Sequence, residues 1–155
     1  MKWRNFINTL CLLISLNLLT TVAIAHENRS QTLVLVTASN SPVNKLPPGQ
    51  FRKLFLDVPV KSNGQLLVPL INMSDDLLYE IFLQKVVYMS KRHYERMLIS
   101  KTFRTGRPRP ARFDNNEELV KALKTIPGAV SIMWEKTARK NREIKIVQVI
   151  WEERH

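Results

Sequence analysis

The sequence is poor in the residues from which metal sites and disulfide scaffolds are built. It has one Cys, three His and four Gly among 155 residues. One Cys can form neither a disulfide framework nor a zinc-binding cluster, because both need several cysteines. His26, His93 and His155 are scattered without the spacing of metal ligands, so we predict no metal site and no cofactor. The chain also lacks a G-x-S-x-G motif, a P-loop and a cysteine nucleophile, so we predict no enzymatic activity and no catalytic residues.

Acidic residues are also scarce. The chain has 13 Asp and Glu against 24 Lys and Arg, a formal net charge of +11. Such an excess indicates an acidic or anionic partner, or serves solubility alone. Apolar residues make up 45% of the chain, which excludes a disordered protein. The length fits about one domain.

Residues 1–25 have the pattern of a secretory signal peptide. Lys2 and Arg4 form a basic start, residues 6–25 carry no charge, and Ala23-Ile24-Ala25 supplies the small residues of a cleavage site. We therefore expect a cleaved signal and a periplasmic protein, a location that argues against nucleic-acid partners. The alternative is an uncleaved membrane anchor, because the uncharged run is long enough to span a bilayer.

The remaining residues, 26–155, are predicted to form a single α/β domain. The unbroken apolar run at 33–36 indicates a strand covered on both faces, as in a parallel sheet. A second buried strand is predicted at 66–71, where Pro69 disfavours a central position. Further predicted elements are a helix with Phe51, Leu54 and Phe55 on one face, helices that begin at Ser74, Ser90 and Asp114, a short strand at 129–133, a polar helix at 135–142 and a last strand at 144–151.

Strands that alternate with helices predict a three-layer α/β fold, with a mostly parallel sheet flanked by helices. Ligands of such sheets bind beyond the carboxyl ends of the strands. The candidate ligand-binding segments are therefore the loop after Val36, the loop after Ile71 and the loop before Asp114.

Several segments in this order resemble the phosphate-binding proteins of ABC uptake systems, in the type-2 periplasmic binding-protein superfamily. Segment 34–42 is similar to the family's first strand and polar loop, and 46–56 to its L-x-x-I-F-L-G helix. Segment 67–70 resembles the next strand. Segment 103–108 resembles an F-x-G-x-G-x-P turn, and 126–132 a T-P-G-A-I-G-Y signature.

The resemblance implies a non-enzymatic, exported protein that binds phosphate or a related small oxyanion, together with a membrane transporter or sensor. Full-length relatives bind the anion between two lobes, whereas residues 26–155 supply about one lobe. A homodimer would rebuild such a cleft. The loop after the second strand departs from the family pattern, because Asp75 and Asp76 stand where Arg and Gly-Thr are usual.

An oxyanion site needs hydroxyl or amide donors and a cation. The candidate ligand-binding residues are Ser39, Asn40, Ser41, Ser74, Asp75, Arg104, Thr105 and Gly106. Each group also has a purely structural interpretation. The first three fit an ordinary polar loop, and Ser74 and Asp75 fit a helix cap.

Positive charge is concentrated in one segment. Residues 91–112 contain eight Lys and Arg and a single acid, Glu95. We predict a basic contact face made by Arg104, Arg107, Arg109 and Arg112. The alternative function is accordingly a degenerate lobe that docks on an envelope component through this face. A solvated surface is the simpler interpretation, since most charge runs are solvated.

Overall fold

The structure, a computed structural model, describes residues 31–153. The predicted signal peptide, residues 1–25, lies outside this range. The strands are β1 (Thr32–Ala38), β2 (Lys61–Ser62), β3 (Gln65–Leu66), β4 (Val68–Pro69), β5 (Ile71–Asn72), β6 (Arg112–Phe113), β7 (Ala129–Trp134) and β8 (Ile144–Glu152). The helices are α1 (Pro48–Phe55), α2 (Asp76–Phe82), α3 (Lys91–Thr105), α4 (Asn116–Thr125) and α5 (Glu135–Arg139), and a π-helical segment (Leu83–Val87) continues α2.

A four-stranded sheet in the order β4-β7-β1-β8 forms the centre of the domain. Helices α1 to α3 cover one face, where they pack against Leu33 and Leu35, and α4 and α5 cover the other, where Val34 and Val36 point. The three-layer α/β fold predicted from the sequence is confirmed. Both faces of β1 are buried, as its unbroken apolar run predicts.

The direction of the strands differs from the prediction. Strand β1 pairs antiparallel with both β7 and β8, and only β4 pairs parallel with β7 in this sheet. The prediction of a mostly parallel sheet was therefore wrong for the strands that the structure describes. An apolar run shows that both faces are covered, but helices can cover an antiparallel strand equally well.

The predicted strand at 66–71 is also different in the structure. It divides into β3, β4 and β5, which lie in three separate sheets. The Leu70 N–H donates to the Val130 carbonyl, but the next N–H, that of Ile71, donates to the Ala111 carbonyl. Pro69 lies in β4, at the edge of the main sheet, where its missing N–H is tolerated.

The beginning of α3 agrees with the prediction, whereas the caps of α2 and α4 lie one residue later than predicted. Ser90 caps α3 by accepting from the His93 N–H, and Asn115 caps α4. The cap of α2 is Asp75, whose side chain accepts from the Leu78 N–H at 2.8 Å. The predicted cap, Ser74, makes other contacts, described below.

Candidate functional site

The antiparallel pairing of β1 places the candidate loops at opposite ends of the sheet. Along the ladder, Leu33 lies opposite Trp134 and Thr37 opposite Val130. Strand β4 runs parallel with β7, and β5 follows it. The loop after β1 therefore lies at the β7 start, whereas the loop after β5 lies towards the β7 end. One small ligand cannot contact both.

The loop after β1 borders a cleft of about 240 Å³. The lining includes Asn40 and Ser41 from this loop, Lys124 and Thr125 from the end of α4, and Gly128 from the turn before β7. The side-chain amide of Asn40 makes no hydrogen bond to any residue in the described range. Among the described residues, this cleft combines an amide donor without a partner, a hydroxyl and the Lys124 ammonium, which an anion would share with Glu143; such groups are the chemistry an oxyanion requires.

Hydrogen bonds to main-chain groups of this loop hold it in place. The Ser39 N–H donates to the Glu143 carbonyl at 2.9 Å, and the Lys145 Nζ donates to the Ser41 carbonyl at 2.5 Å. Glu143 also forms an ion pair with Lys124. Lys124 and Lys145 are not among the predicted site residues. They belong to α4 and β8, and no local sequence pattern links either of them to this loop.

Ser74 lies where two predicted loops meet. Its hydroxyl is 2.7 Å from Asn72 Oδ1 and 3.2 Å from Asn116 Oδ1, and its N–H donates to Asn72 Oδ1. The buried Asn72 amide in turn donates to the Ile132 carbonyl at 3.0 Å. Both donors of Ser74 are engaged within the chain, and the Asp75 carboxylate is next to it. This corner is rich in acceptors and less suited to an anion than the Asn40 cleft.

The third candidate group lies at the end of a helix. Arg104 and Thr105 belong to the last turn of α3, and Gly106 terminates it with a positive φ of 69°. The Gly106 N–H donates to the Thr102 carbonyl, and the Thr105 hydroxyl donates to the Lys101 carbonyl. A helix C-terminus carries partial negative charge, which opposes anion binding there.

The cations of the predicted basic face differ in how closely they are paired with carboxylates. Arg112 is held by Glu95, with Nη2 at 2.6 and 2.5 Å from its two carboxylate oxygens. Burial alone would lower the pKa of Arg112, but the hydrogen bond and charge of Glu95 outweigh it and raise that pKa. Arg109 approaches the same carboxylate at 4.0 Å, and Arg107 lies 3.7 Å from the carboxylate of Asp57.

Arg104 is the member of this face that makes no ion pair with the described residues. Its neighbour Phe103 is 87% exposed, an unusual state for a phenylalanine. The two side chains give the end of α3 a mixed cationic and aromatic surface.

Comparison with solved structures identifies the fold. An ABC-type phosphate transport receptor from Vibrio cholerae superposes with a TM-score of 0.56 at 13% identity, over 77% of this chain and 46% of the receptor. PstS from Borrelia burgdorferi gives 0.54 at 9% identity, over 77% of this chain and 47% of that protein. The domain has the α/β fold of one periplasmic-binding-protein lobe. The chain thus spans less than half the length of these receptors.

Sequence comparisons gave no match to a protein family or to a curated protein. No helix between residues 31 and 153 is long and apolar enough to cross a membrane. Within the same residues, His, Asp and Glu side chains form no cluster of three or more that could hold a metal ion.

Proposed function

We propose that the chain is an exported, solute-binding-like protein that binds phosphate or a related small oxyanion in the Asn40 cleft and presents it to a membrane transporter or sensor. The observation that carries this proposal is the Asn40 amide, which has no partner within residues 31–153 and lines a cleft together with Ser41 and Lys124. The fold of a phosphate-receptor lobe supports it. Export is supported by the signal-peptide pattern of residues 1–25.

Calorimetry with phosphate, sulfate and molybdate tests the proposal. We expect heat with at least one anion, and Asn40→Ala or Lys124→Gln should weaken that binding roughly tenfold, because each removes a hydrogen bond to a charged ligand. Thr105→Ala is the matched control, since this exposed hydroxyl lies at the end of α3 and outside the cleft. No heat and no thermal shift at millimolar anion would contradict the proposal.

A second candidate function is docking on an acidic envelope protein through the basic face. The observation that favours it is the exposed Phe103 beside Arg104, which makes no ion pair within residues 31–153. Charge reversal at Arg104 and Arg107 should abolish capture of such a partner, while reversal at Lys140, an exposed cation that follows α5, should not. Capture that survives the first change would rule this function out.

A further inference from the structure

A second, larger cleft lies between α1, the turn after the π-helical segment and the edge strand β8. Its volume is about 530 Å³, which is within the range of small-molecule sites and far more than a single oxyanion fills. Apolar side chains form part of its lining, namely Leu46, Phe51, Leu56, Val86 and Ile150. The cleft therefore offers an apolar surface to a ligand.

Among residues 31–153, the charged side chains that line this cleft are all cations: Lys45, Arg52, Lys53 and Lys85. Arg52 is fixed in position, because its Nε and Nη2 both donate to the Val87 carbonyl at 3.3 Å. The three lysines form no ion pair within residues 31–153. Four cations without a carboxylate among them create a positive potential that attracts an anionic ligand.

Tyr88 lies at the rim of the cleft in an unusual backbone conformation. It ends the π-helical segment with φ 55° and ψ 46°, the left-handed region in which glycine is the usual helix-terminating residue. The residue is 67% exposed, so packing in the core does not explain the tyrosine either. The ring contacts the Arg52 guanidinium, which lies 5.6 Å from the ring centroid. An aromatic ring beside the Arg52 guanidinium thus lies at the mouth of the cleft, on a residue with a strained backbone.

We propose that this cleft binds an organic phosphate, with the planar ring of the ligand stacked on Tyr88 and its phosphate groups among Arg52 and the three lysines. Tyrosine rings stack on planar groups, and Lys and Arg are the usual phosphate ligands. This site differs from the Asn40 cleft in its residues and its ligand, so the inference goes beyond the function proposed above.

Calorimetry with three probes measures separately what the ring and the phosphates of the ligand contribute to binding. ADP carries a ring and phosphates, pyrophosphate carries phosphates alone, and adenosine carries the ring alone. We expect ADP to bind roughly tenfold tighter than pyrophosphate, the gain from one stacked ring, and adenosine to give no measurable heat. The measurements are made in a protein that carries both Asn40→Ala and Lys124→Gln, which together weaken binding at the proposed oxyanion site, so failure of either proposal is seen separately.

Variants of the lysines test the phosphate contacts. Lys53→Gln with Lys85→Gln should weaken binding of both ADP and pyrophosphate roughly tenfold or more. Lys140→Gln with Arg142→Gln is the control, since it removes two exposed cations that do not line the cleft. Equal effects of the two pairs would show a general charge effect and overturn the proposal.

Tyr88→Gly distinguishes a binding role from a structural one. Glycine relieves the left-handed strain, so we expect the melting temperature to stay or rise while ADP affinity falls roughly tenfold and pyrophosphate affinity is unchanged. Tyr88→Phe should retain ADP binding. The proposal is wrong if ADP binds no tighter than pyrophosphate, or if Tyr88→Gly leaves ADP affinity as it was.

Discussion

Tyr94 links two helices through a single buried hydroxyl. The side chain is fully buried, and its hydroxyl donates to the Phe55 carbonyl, at the end of α1, at 2.7 Å. Tyr94→Phe keeps the ring but leaves that carbonyl without a donor. We expect the free energy of unfolding to fall by about 1–3 kcal/mol, measured by urea denaturation. A loss below a few tenths of a kcal/mol would mean that water replaces the hydroxyl.

The same tyrosine predicts a sensitivity to alkaline pH. Burial raises the pKa of Tyr94 well above its usual value, and burial, followed by the charge of Glu95, raises the pKa of Tyr79. The unfolded chain releases these protons near pH 10, whereas the folded chain keeps them. The folded state then binds more protons, so stability is complete below about pH 10 and falls as the pH rises further. Urea denaturation over this range should show a shallower fall for Tyr94→Phe.

Gly128 is the glycine that we expect to tolerate a side chain least. Its φ is 75°, and a Cβ there would lie 2.2 Å from the Leu66 carbonyl oxygen. Gly128→Ala should therefore destabilise the protein by more than about 2 kcal/mol, through both strain and a main-chain clash. Gly106 is the matched control, because its φ of 69° is similar but no other part of the described chain lies within 4 Å of a Cβ there. Thermal unfolding of Gly106→Ala should show only the smaller strain effect of about 1 kcal/mol.

At the residue scale, the sequence identifies candidate hydrogen-bond donors but does not show which of them already have a partner within the fold. Ser74 and Asn40 both follow strands and carry suitable side chains. The structure engages both donors of Ser74 with Asn72 and Asn116, and leaves the Asn40 amide without a partner in the described range. Asn116 lies 42 positions from Ser74, so no local pattern could reveal this contact.

At the scale of elements, the cap of α3 is directly testable. The Ser90 hydroxyl accepts from the His93 N–H and satisfies one of the unpaired donors of the first turn. Ser90→Ala should lower the free energy of unfolding by about 1 kcal/mol in urea denaturation. Ser100→Ala, an exposed position in the same helix, should leave stability unchanged or slightly higher, since alanine has the better helix propensity. Equal effects at both positions would argue against the cap.

Elements with a clear hydrophobic period were predictable, and short ones were not. Helix α1 follows from Phe51, Leu54 and Phe55, and β1 from its apolar run, because each depends on one continuous buried face. Segment 66–71 is equally apolar, yet its N–H groups bond to different partners on alternating sides. Burial is visible in a sequence, whereas the choice of hydrogen-bonding partner is a tertiary property.

At the scale of the whole molecule, β8 completes the central sheet. All seven residues of β1 pair with β8, so its removal would expose the edge of a fully buried strand. A chain that ends at Arg142 should show no cooperative thermal transition by circular dichroism. A chain that ends at Glu153 keeps β8 and should unfold like the parent protein. A cooperative transition in the shorter chain would mean that β1 and β7 form a stable sheet without β8.

The strand order of the central sheet also determines when the chain can fold. Leu35 pairs with Ile132 on one side and with Gln148 on the other. Contacts so distant along the chain close large loops, which slows folding. During synthesis, β1 has neither neighbour until β7 and β8 have also left the ribosome. The central sheet consequently stays unfolded until β8 has been synthesised, and an unfolded polypeptide is the state that can pass through a narrow membrane channel.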